Sequence, residues 1–476
     1  IDGGLGSDII DGGSGTDLVS YAETSVYDGV KISYSAGIYS AQDVLNSAVD
    51  TLVGIENFVG SKGKDTFDGS FGDNIIDGGN GVDVVTYSAG DTLTLNLLGA
   101  GSATVIGTAA GVGNDELRSI ERIELGAGDD LITGFVAGMT IEGKAGNDSL
   151  DLRNGVGANQ NSVIMLAPVS DLTAGTVIAG GNTMLLYGIE NIAAGSGNDS
   201  LSGNAADNLL DGGSGSDLVD YSAGSSGTPV SISLQTDATG LRHIATGDNI
   251  GIDTLVGIES LVGSKGADTF SGAINGTSID GFTGNDLADY ASESRRLEIN
   301  LQGGTVKVYD NSNNIVATQG LTSIENVTSG SAADTFVAAT GSVDNLFDGG
   351  SGKDTITYSN ATQNLTIDLA LGTVRDASAN NEIGIDTLKN IETIVGGAGN
   401  DTFYAATGNL DNEMDGGTGS NTADYSKVFV DAATANGLSF SFSGGNWAVT
   451  NAPLDVGVDA LKNMQRVVGG KGADTF

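Results

Sequence analysis

Three consecutive nonapeptides, GSKGKDTFD (Gly60–Asp68), GSFGDNIID (Gly69–Asp77) and GGNGVDVVT (Gly78–Thr86), decide the fold. Each is a Gly-rich six-residue turn that ends in Asp or Asn, followed by a strand of three residues. At the strand's period of two, three residues send one side chain inward, so one apolar residue per nine suffices for a core. That residue stands two after the Asp in Val19, Phe67, Val85, Ile132, Leu150, Leu201, Val219, Phe270, Phe336, Ile356, Phe403 and Phe476. If two nonapeptides make one coil of a solenoid, residues 18 apart stack at one β-spacing, roughly 4.8 Å.

A longer period organises these units. DGGSGTDLVSY from Asp11, DGGNGVDVVTY from Asp77, DGGSGSDLVDY from Asp211, DGFTGNDLADY from Asp280, DGGSGKDTITY from Asp348 and DGGTGSNTADY from Asp415 are copies, with a weaker one, EGKAGNDSLDL, at Glu142. A second signature closes the copies, as in DTLVGIENFVGSKGKDTF from Asp50 and DTLVGIESLVGSKGADTF from Asp253. Repeats at such a period are read as solenoids. The expected organisation is the tail of a preceding repeat at 1–10, then copies at 11–76, 77–140, 141–210 (degenerate), 211–279, 280–347, 348–414 and 415–476, in one continuous solenoid. Both termini fall inside a motif, which suggests a slice of a longer array.

Composition agrees with a narrow core. Glycine supplies 76 of 476 residues and aromatics 5%, too few large side chains for a broad interior. Sixty-one acidic residues against 19 basic ones give a formal charge of -42, which makes nucleic acid an improbable partner. Self-repulsion of that size needs disorder or bound cations, and 39% hydrophobic residues argue against disorder. With no cysteine and the single His243, zinc has no ligand set. No run approaches the length of a membrane span.

The acids obey the 18-residue rule. Asp65 and Asp83, Asp130 and Asp148, Asp199 and Asp217, and Asp268 and Asp286 are each 18 apart, whereas Asp334 to Asp354 and Asp401 to Asn421 are 20 apart and predict bulged coils. Stacked carboxylates repel unless a cation lies among them. Calcium takes six to eight oxygens, and glycine turns can present carbonyls for those the carboxylates do not supply. The expected calcium residues are Asp8, Asp17, Asp65, Asp83, Asp130, Asp148, Asp199, Asp217, Asp268, Asp286, Asp334, Asp354, Asp401 and Asp474. Asn74 and Asn208 join them from the opposite edge, with turn glycines Gly60, Gly63, Gly78, Gly81, Gly212 and Gly215.

These nonapeptides resemble the repeats-in-toxin (RTX, haemolysin-type) family, whose GGxGxDxUx unit binds calcium. GGLGSDIID at Gly3, GGSGTDLVS at Gly12, GGNGVDVVT at Gly78, GGSGSDLVD at Gly212, GGSGKDTIT at Gly349 and GGAGNDTFY at Gly396 carry the likeness, in phase, over about a third of the chain. Asn421 and Thr277 depart from it by standing where an Asp is expected. The resemblance implies an all-β, right-handed parallel β-roll or β-helix solenoid with several bound Ca2+ ions. It also implies type I secretion and folding triggered by external calcium.

Between the signatures, LTLNL at Leu93, VSISL at Val230, LEINL at Leu297, LTIDL at Leu365 and LSFSF at Leu438 alternate strictly and are half-buried strands, in wider coils or side hairpins. The once-per-copy Tyr21, Tyr87, Tyr221, Tyr290, Tyr358 and Tyr425 read as a stacked structural ladder. His243 reads as a surface residue, Trp447 as core, and Arg295 and Arg296 as a solvated pair. No GxSxG occurs and His243 has no second His, so no hydrolase triad is indicated and the chain is read as no enzyme. The expected function is a calcium-stabilised structural or adhesive repeat protein at a bacterial cell surface: an adhesin, surface layer or filament. Its partners would be calcium, copies of itself and cell-surface polysaccharide. The alternatives are the non-catalytic calcium-binding region of a secreted enzyme or toxin, and a glycan-binding rod.

Overall fold

A computed structural model describes residues 6–476, apart from 23–28, 46–47, 89, 91, 100, 108–110, 155–158, 167–173, 224–226, 238–239, 273, 275, 378–382, 409–410, 429–435 and 451–456. Every regular element among the described residues is a β-strand. The chain divides into two compact units, Ile1–Tyr221 with Asp237–Ser260, and Ser222–Thr236 with Leu261–Phe476.

In the first unit the nonapeptides coil as their spacing predicts. Thr66–Asp68 lies parallel to Val84–Thr86, with Phe67 opposite Val85. The strand between them, Ile75–Asp77, pairs instead with Asn57–Val59 in a second sheet. Successive strands therefore cross between two sheets, and residues 18 apart are neighbours. In the second unit Thr335–Val337 pairs with Thr355–Thr357 across a 20-residue step without loss of register. The two extra residues sit in the turn 338–345, which has eight residues where the turn 69–74 has six. The sequence is thus a parallel β-roll.

The inner face is a file of single apolar side chains. Of the twelve read from the nonapeptides, the eleven from Val19 to Phe403 are fully buried, and Phe476 is exposed and stacks on Phe440. The DTLxxIE signature is strand and turn, with Leu52, Ile55 and Phe58 buried. Its turn residue is left-handed in each copy: Gly54, Ser119, Gly188, Gly257, Ser323, Asn390 and Asn463 all have φ between 49° and 60°. Ser and Asn tolerate this conformation less well than Gly, so the turn is held by its surroundings in four of the seven.

The alternating segments are neither wider coils nor side hairpins. Each forms a three-stranded antiparallel meander within one sheet, spliced between parallel rungs. Val30–Ser35 pairs in parallel with Thr66–Asp68 and antiparallel with Ile38–Asp43, which pairs with Val49–Val53, which returns to a parallel partner in Ile9–Asp11. The next meander, Leu93–Gly99, Ser102–Gly107 and Asn114–Arg118, lies in the other sheet, and the third, Ser162–Met165, Gly175–Ala179 and Asn182–Tyr187, is back in the first. The second unit repeats the alternation with meanders beginning at Leu297, Leu365 and Leu438. Four short strands separate consecutive meanders. With the meander itself that makes five segments per copy, an odd number, so each copy begins on the sheet opposite to the one where the copy before it began.

Three readings need correction. His243 is 0% exposed, because the alternation of Gly240–Gly247 places it on the inner face, where burial pushes its pKa below the ordinary value. Trp447 is half-buried rather than core. It shares its strand face with the buried Val449 and pairs with the buried Leu461, and its ring centre lies 4.9 Å from that of Phe442, which is 60% exposed. Arg295 and Arg296 are each engaged, the first in an ion pair with Glu293 and the second over the ring of Tyr309.

Candidate metal sites: carboxylate ladders in the turns

The expected calcium residues separate into two kinds of turn position. Each kind changes edge from one copy to the next: the Asp65 turn leads from the second sheet into the first, and the Asp130 turn from the first into the second. In the first kind, seven aspartates anchor the meanders: the Oδ1 atoms of Asp65, Asp130, Asp199, Asp268, Asp334, Asp401 and Asp474 accept the N–H of Val30, Leu93, Ser162, Val230, Leu297, Leu365 and Leu438, at 2.6–2.8 Å. The backbone N–H of the first six donates in turn to the residue one coil on. Asp65 gives to Asp83 Oδ1 at 2.8 Å, Asp130 to Asp148, Asp199 to Asp217, Asp268 to Asp286, Asp334 to Asp354 and Asp401 to Asn421. The 18- and 20-residue pairs read from the sequence are all brought together.

The ladder has a third rung that the spacing rule missed. The N–H groups of Asp17, Asp83, Asp148, Asp217, Asp286 and Asp354 donate to the carboxylates of Glu56, Glu121, Glu190, Glu259, Glu325 and Glu392, at 2.8–2.9 Å. Asn421 donates to Gln465 in the same way. Three acids in successive turns, such as Asp65, Asp83 and Glu121, therefore share one edge.

The glycines make the close approach possible. Gly79 and Gly81, and likewise Gly213 and Gly215, have left-handed φ. A Cβ on Gly60 would overlap Asp65 Oδ2 and the Gly78 carbonyl, one on Gly78 the Ser119 carbonyl and Asp83, and one on Gly212 the Gly257 carbonyl and Asp217. One on Gly81 or Gly215 would overlap the carbonyl of the turn before it, Gly63 or Gly197.

This crowding leaves oxygens without protons to meet. The Oδ2 atoms of Asp17, Asp83, Asp130, Asp148, Asp199, Asp217, Asp286 and Asp354 are buried and accept no hydrogen bond. Burial first, and the neighbouring acids second, push Asp83, Asp148, Asp286 and Asp354 up to about 7 and Asp217 to about 6. A buried carboxylate oxygen facing carbonyls is a costly arrangement unless a cation completes it. Among the described residues no three acidic or imidazole side chains cluster closely enough to hold a metal by themselves. The hard, oxygen-rich shell of calcium also accepts main-chain carbonyls.

The second kind of turn position holds Asn74, Asn208 and also Asp8, arranged differently. The N–H of Asp8, Asn74, Asn208, Asn345 and Asn412 donates to Oδ1 of Asp50, Asp115, Asp253, Asp386 and Asp459 at 2.8–3.2 Å. The Oδ2 atoms of those five accept the hydroxyl of Tyr21, Tyr87, Tyr221, Tyr358 and Tyr425 at 2.8–3.0 Å. The side-chain amides of Asn74 and Asn208 donate to the carbonyls of Glu56 and Glu190, so this position follows a ladder on the same edge. The recurrent tyrosines are structural, but through these bonds: no ring pair joins them among the described residues. At the next such position Gln319 replaces the Asp and Thr277 the Asn, and Gln319 bonds both Tyr290 and the Thr277 carbonyl. Thr277 thus takes the Asn position, not the Asp position. Both missed sets come from one signature, in which the Asp and the Glu are six residues apart, as in Asp50 with Glu56 and Asp253 with Glu259.

A family model, the RTX calcium-binding nonapeptide repeat, matches four stretches, 1–20, 51–92, 186–219 and 390–423. The chain carries RTX calcium-binding repeats. Calcium, bound at multiple sites, is the cofactor of such RTX repeats. The matched RTX stretches include Asp17, Asp65, Asp83, Asp199, Asp217 and Asp401, while Asp130 with Asp148, Asp268 with Asp286 and Asp334 with Asp354 lie outside them and make the same bonds. The RTX ladder therefore extends beyond the matched segments. No curated protein matches the chain. No helix among the described residues is long and apolar enough to cross a membrane.

Tyr358→Phe leaves Asp386 Oδ2 buried without its donor and is expected to cost about 1–3 kcal/mol, read as a lower urea midpoint in saturating calcium. In chelator, acidification should stabilise the fold. Burial raises Asp115, Asp253 and Asp386 from 3.8 to about 7, so the folded state holds their protons more tightly than the unfolded chain. Their contribution is complete below pH 3.8 and lost as pH rises through 7. The calcium-free chain should keep more β-sheet dichroism at pH 5 than at pH 8, and the opposite order would contradict this.

Proposed function

We propose that the chain is a structural or adhesive segment that works outside the cell, exported through a type I channel and made rigid by calcium. It has no catalytic role in this reading. Its partners are further copies of itself in a filament, surface layer or longer array, and polysaccharide of the cell surface. The observation that supports this is the carboxylate ladder itself, repeated through the chain with buried oxygens that accept no hydrogen bond. A segment whose rungs are tied by ions present outside the cell gains stiffness on export, which suits a spacer or lattice element.

The proposed calcium residues are those of the ladders: Asp17, Asp65, Asp83, Asp130, Asp148, Asp199, Asp217, Asp268, Asp286, Asp334, Asp354, Asp401 and Asp474, with the turns around Gly60, Gly63, Gly78, Gly81, Gly212 and Gly215. Single-molecule stretching tests the mechanical reading. Unfolding force should rise several-fold between chelator and millimolar calcium. Equal forces in the two conditions would remove the basis for a load-bearing role.

A further inference from the structure

Seven levels of the ladders share one local design, and one of them differs in chemistry. At each, a glycine faces a carbonyl from the left-handed turn residue: Gly12 faces Gly54, Gly78 faces Ser119, Gly143 faces Gly188, Gly212 faces Gly257, Gly281 faces Ser323, Gly349 faces Asn390 and Gly416 faces Asn463. A Cβ on any of these glycines would collide with that carbonyl oxygen and with the side chain of the Asp or Asn five residues on. The glycine thus marks a spot where two groups converge.

At six levels the converging side chain is Asp17, Asp83, Asp148, Asp217, Asp286 or Asp354, and its Oδ2 accepts nothing. Oxygen meets oxygen there. Five of these side chains are no more than 1% exposed, Asp17 being less buried, so water is a poor substitute for a cation. At the seventh level the same spot is filled by Nδ2 of Asn421, which donates to the Asn463 carbonyl at 3.1 Å and to the Thr418 carbonyl at 3.4 Å. Its Oδ1 accepts the N–H of Asp401 at 2.9 Å, as the aspartates' Oδ1 does elsewhere. The next rung changes in step: Gln465, not Glu, accepts the Asn421 N–H at 2.7 Å. Two acids have become two amides at one level, and the oxygen that lacks a partner elsewhere has become a donor that has two.

We propose that the Asn421–Gln465 level is ion-free, the amide of Asn421 making the contact that a calcium ion makes at the six acidic levels. This rests on the calcium reading of the ladder. It means that the repeats are not equivalent: the last start motif holds its coil closed without metal, so it keeps its structure at calcium levels that leave its neighbours open.

Calcium stoichiometry by equilibrium dialysis tests this on the full chain. Asn421→Asp with Gln465→Glu is expected to bind one more ion than the wild type. Asp354→Asn with Glu392→Gln is expected to bind one fewer and, in chelator at pH 8, to keep more β-sheet dichroism than the chelated wild type, because an amide level needs no metal. Unchanged stoichiometry in either variant, in chains that bind calcium, overturns the proposal; should the first variant fail to fold, the second decides alone. A wild type that binds no calcium overturns the functional reading together with this one.

Discussion

Chelating calcium at pH 8 should abolish most of the β-sheet signal in circular dichroism and expand the chain. The reason lies in magnitudes. Two carboxylates one rung apart repel by roughly 3–4 kcal/mol at an effective dielectric constant near 20. Domains are stable by only about 5–15 kcal/mol in all. Six acidic levels without counter-ions, in a chain of formal charge -42, therefore exceed any margin the single-file core can supply. Protonation is the other escape, since Asp83, Asp148, Asp286 and Asp354 are held near 7. Binding calcium at pH 7 must displace part of that proton population, so calorimetry in buffers of different ionisation enthalpy should register proton release on binding. A dichroism spectrum indifferent to chelator at pH 8 would contradict the whole electrostatic argument.

The second large effect concerns a glycine. Gly349→Val introduces a Cβ into overlap with the Asn390 carbonyl and close to Asp354 Oδ2. Overpacking alone costs about 1–3 kcal/mol. Losing an ion held at a hundredfold its Kd costs about 2.7 kcal/mol more. The expected loss is about 4–6 kcal/mol in the urea midpoint at saturating calcium. Gly341→Val is the control, because a Cβ there meets nothing within 4 Å and its φ is not left-handed. Equal losses in the two variants would show that glycine is needed at neither position for the cradle.

What was legible in the sequence had a fixed period. The inward apolar file from Val19 to Phe403 and the pairs Asp65 with Asp83 or Asp268 with Asp286 follow from steps of nine and 18, which a regular coil turns directly into contact. What escaped lies across the meanders. Glu121 bonds Asp83 from 38 residues away and Glu259 bonds Asp217 from 42, because the meander between them varies in length. No constant spacing exists to be found there, although the six-residue step from Asp to Glu within DTLxxIE was visible. The two kinds of turn position were hard to tell apart for a related reason. Asp8 matches the nonapeptide as well as Asp17 does, yet its N–H bonds Asp50 as that of Asn74 bonds Asp115. Strict alternation identified the meander strands but not their neighbours, since hydrophobic period reports which face is buried and carries nothing about which strand lies alongside. His243 was misplaced because a lone residue takes its burial from strand phase, and the phase of Gly240–Gly247 was not anchored by any repeat signature. Trp447 has the inward phase of Val449 but stands where that face is left partly uncovered, beside the exposed Phe442.

The most direct measurement is anomalous diffraction from crystals grown in calcium, or soaked with a lanthanide in its place. Metal peaks are expected beside the Oδ2 atoms of Asp83, Asp148, Asp217, Asp286 and Asp354, with none at Asn421. A map in which those five oxygens adjoin only water or protein hydrogen-bond donors would contradict the claim that ions bind the rungs together.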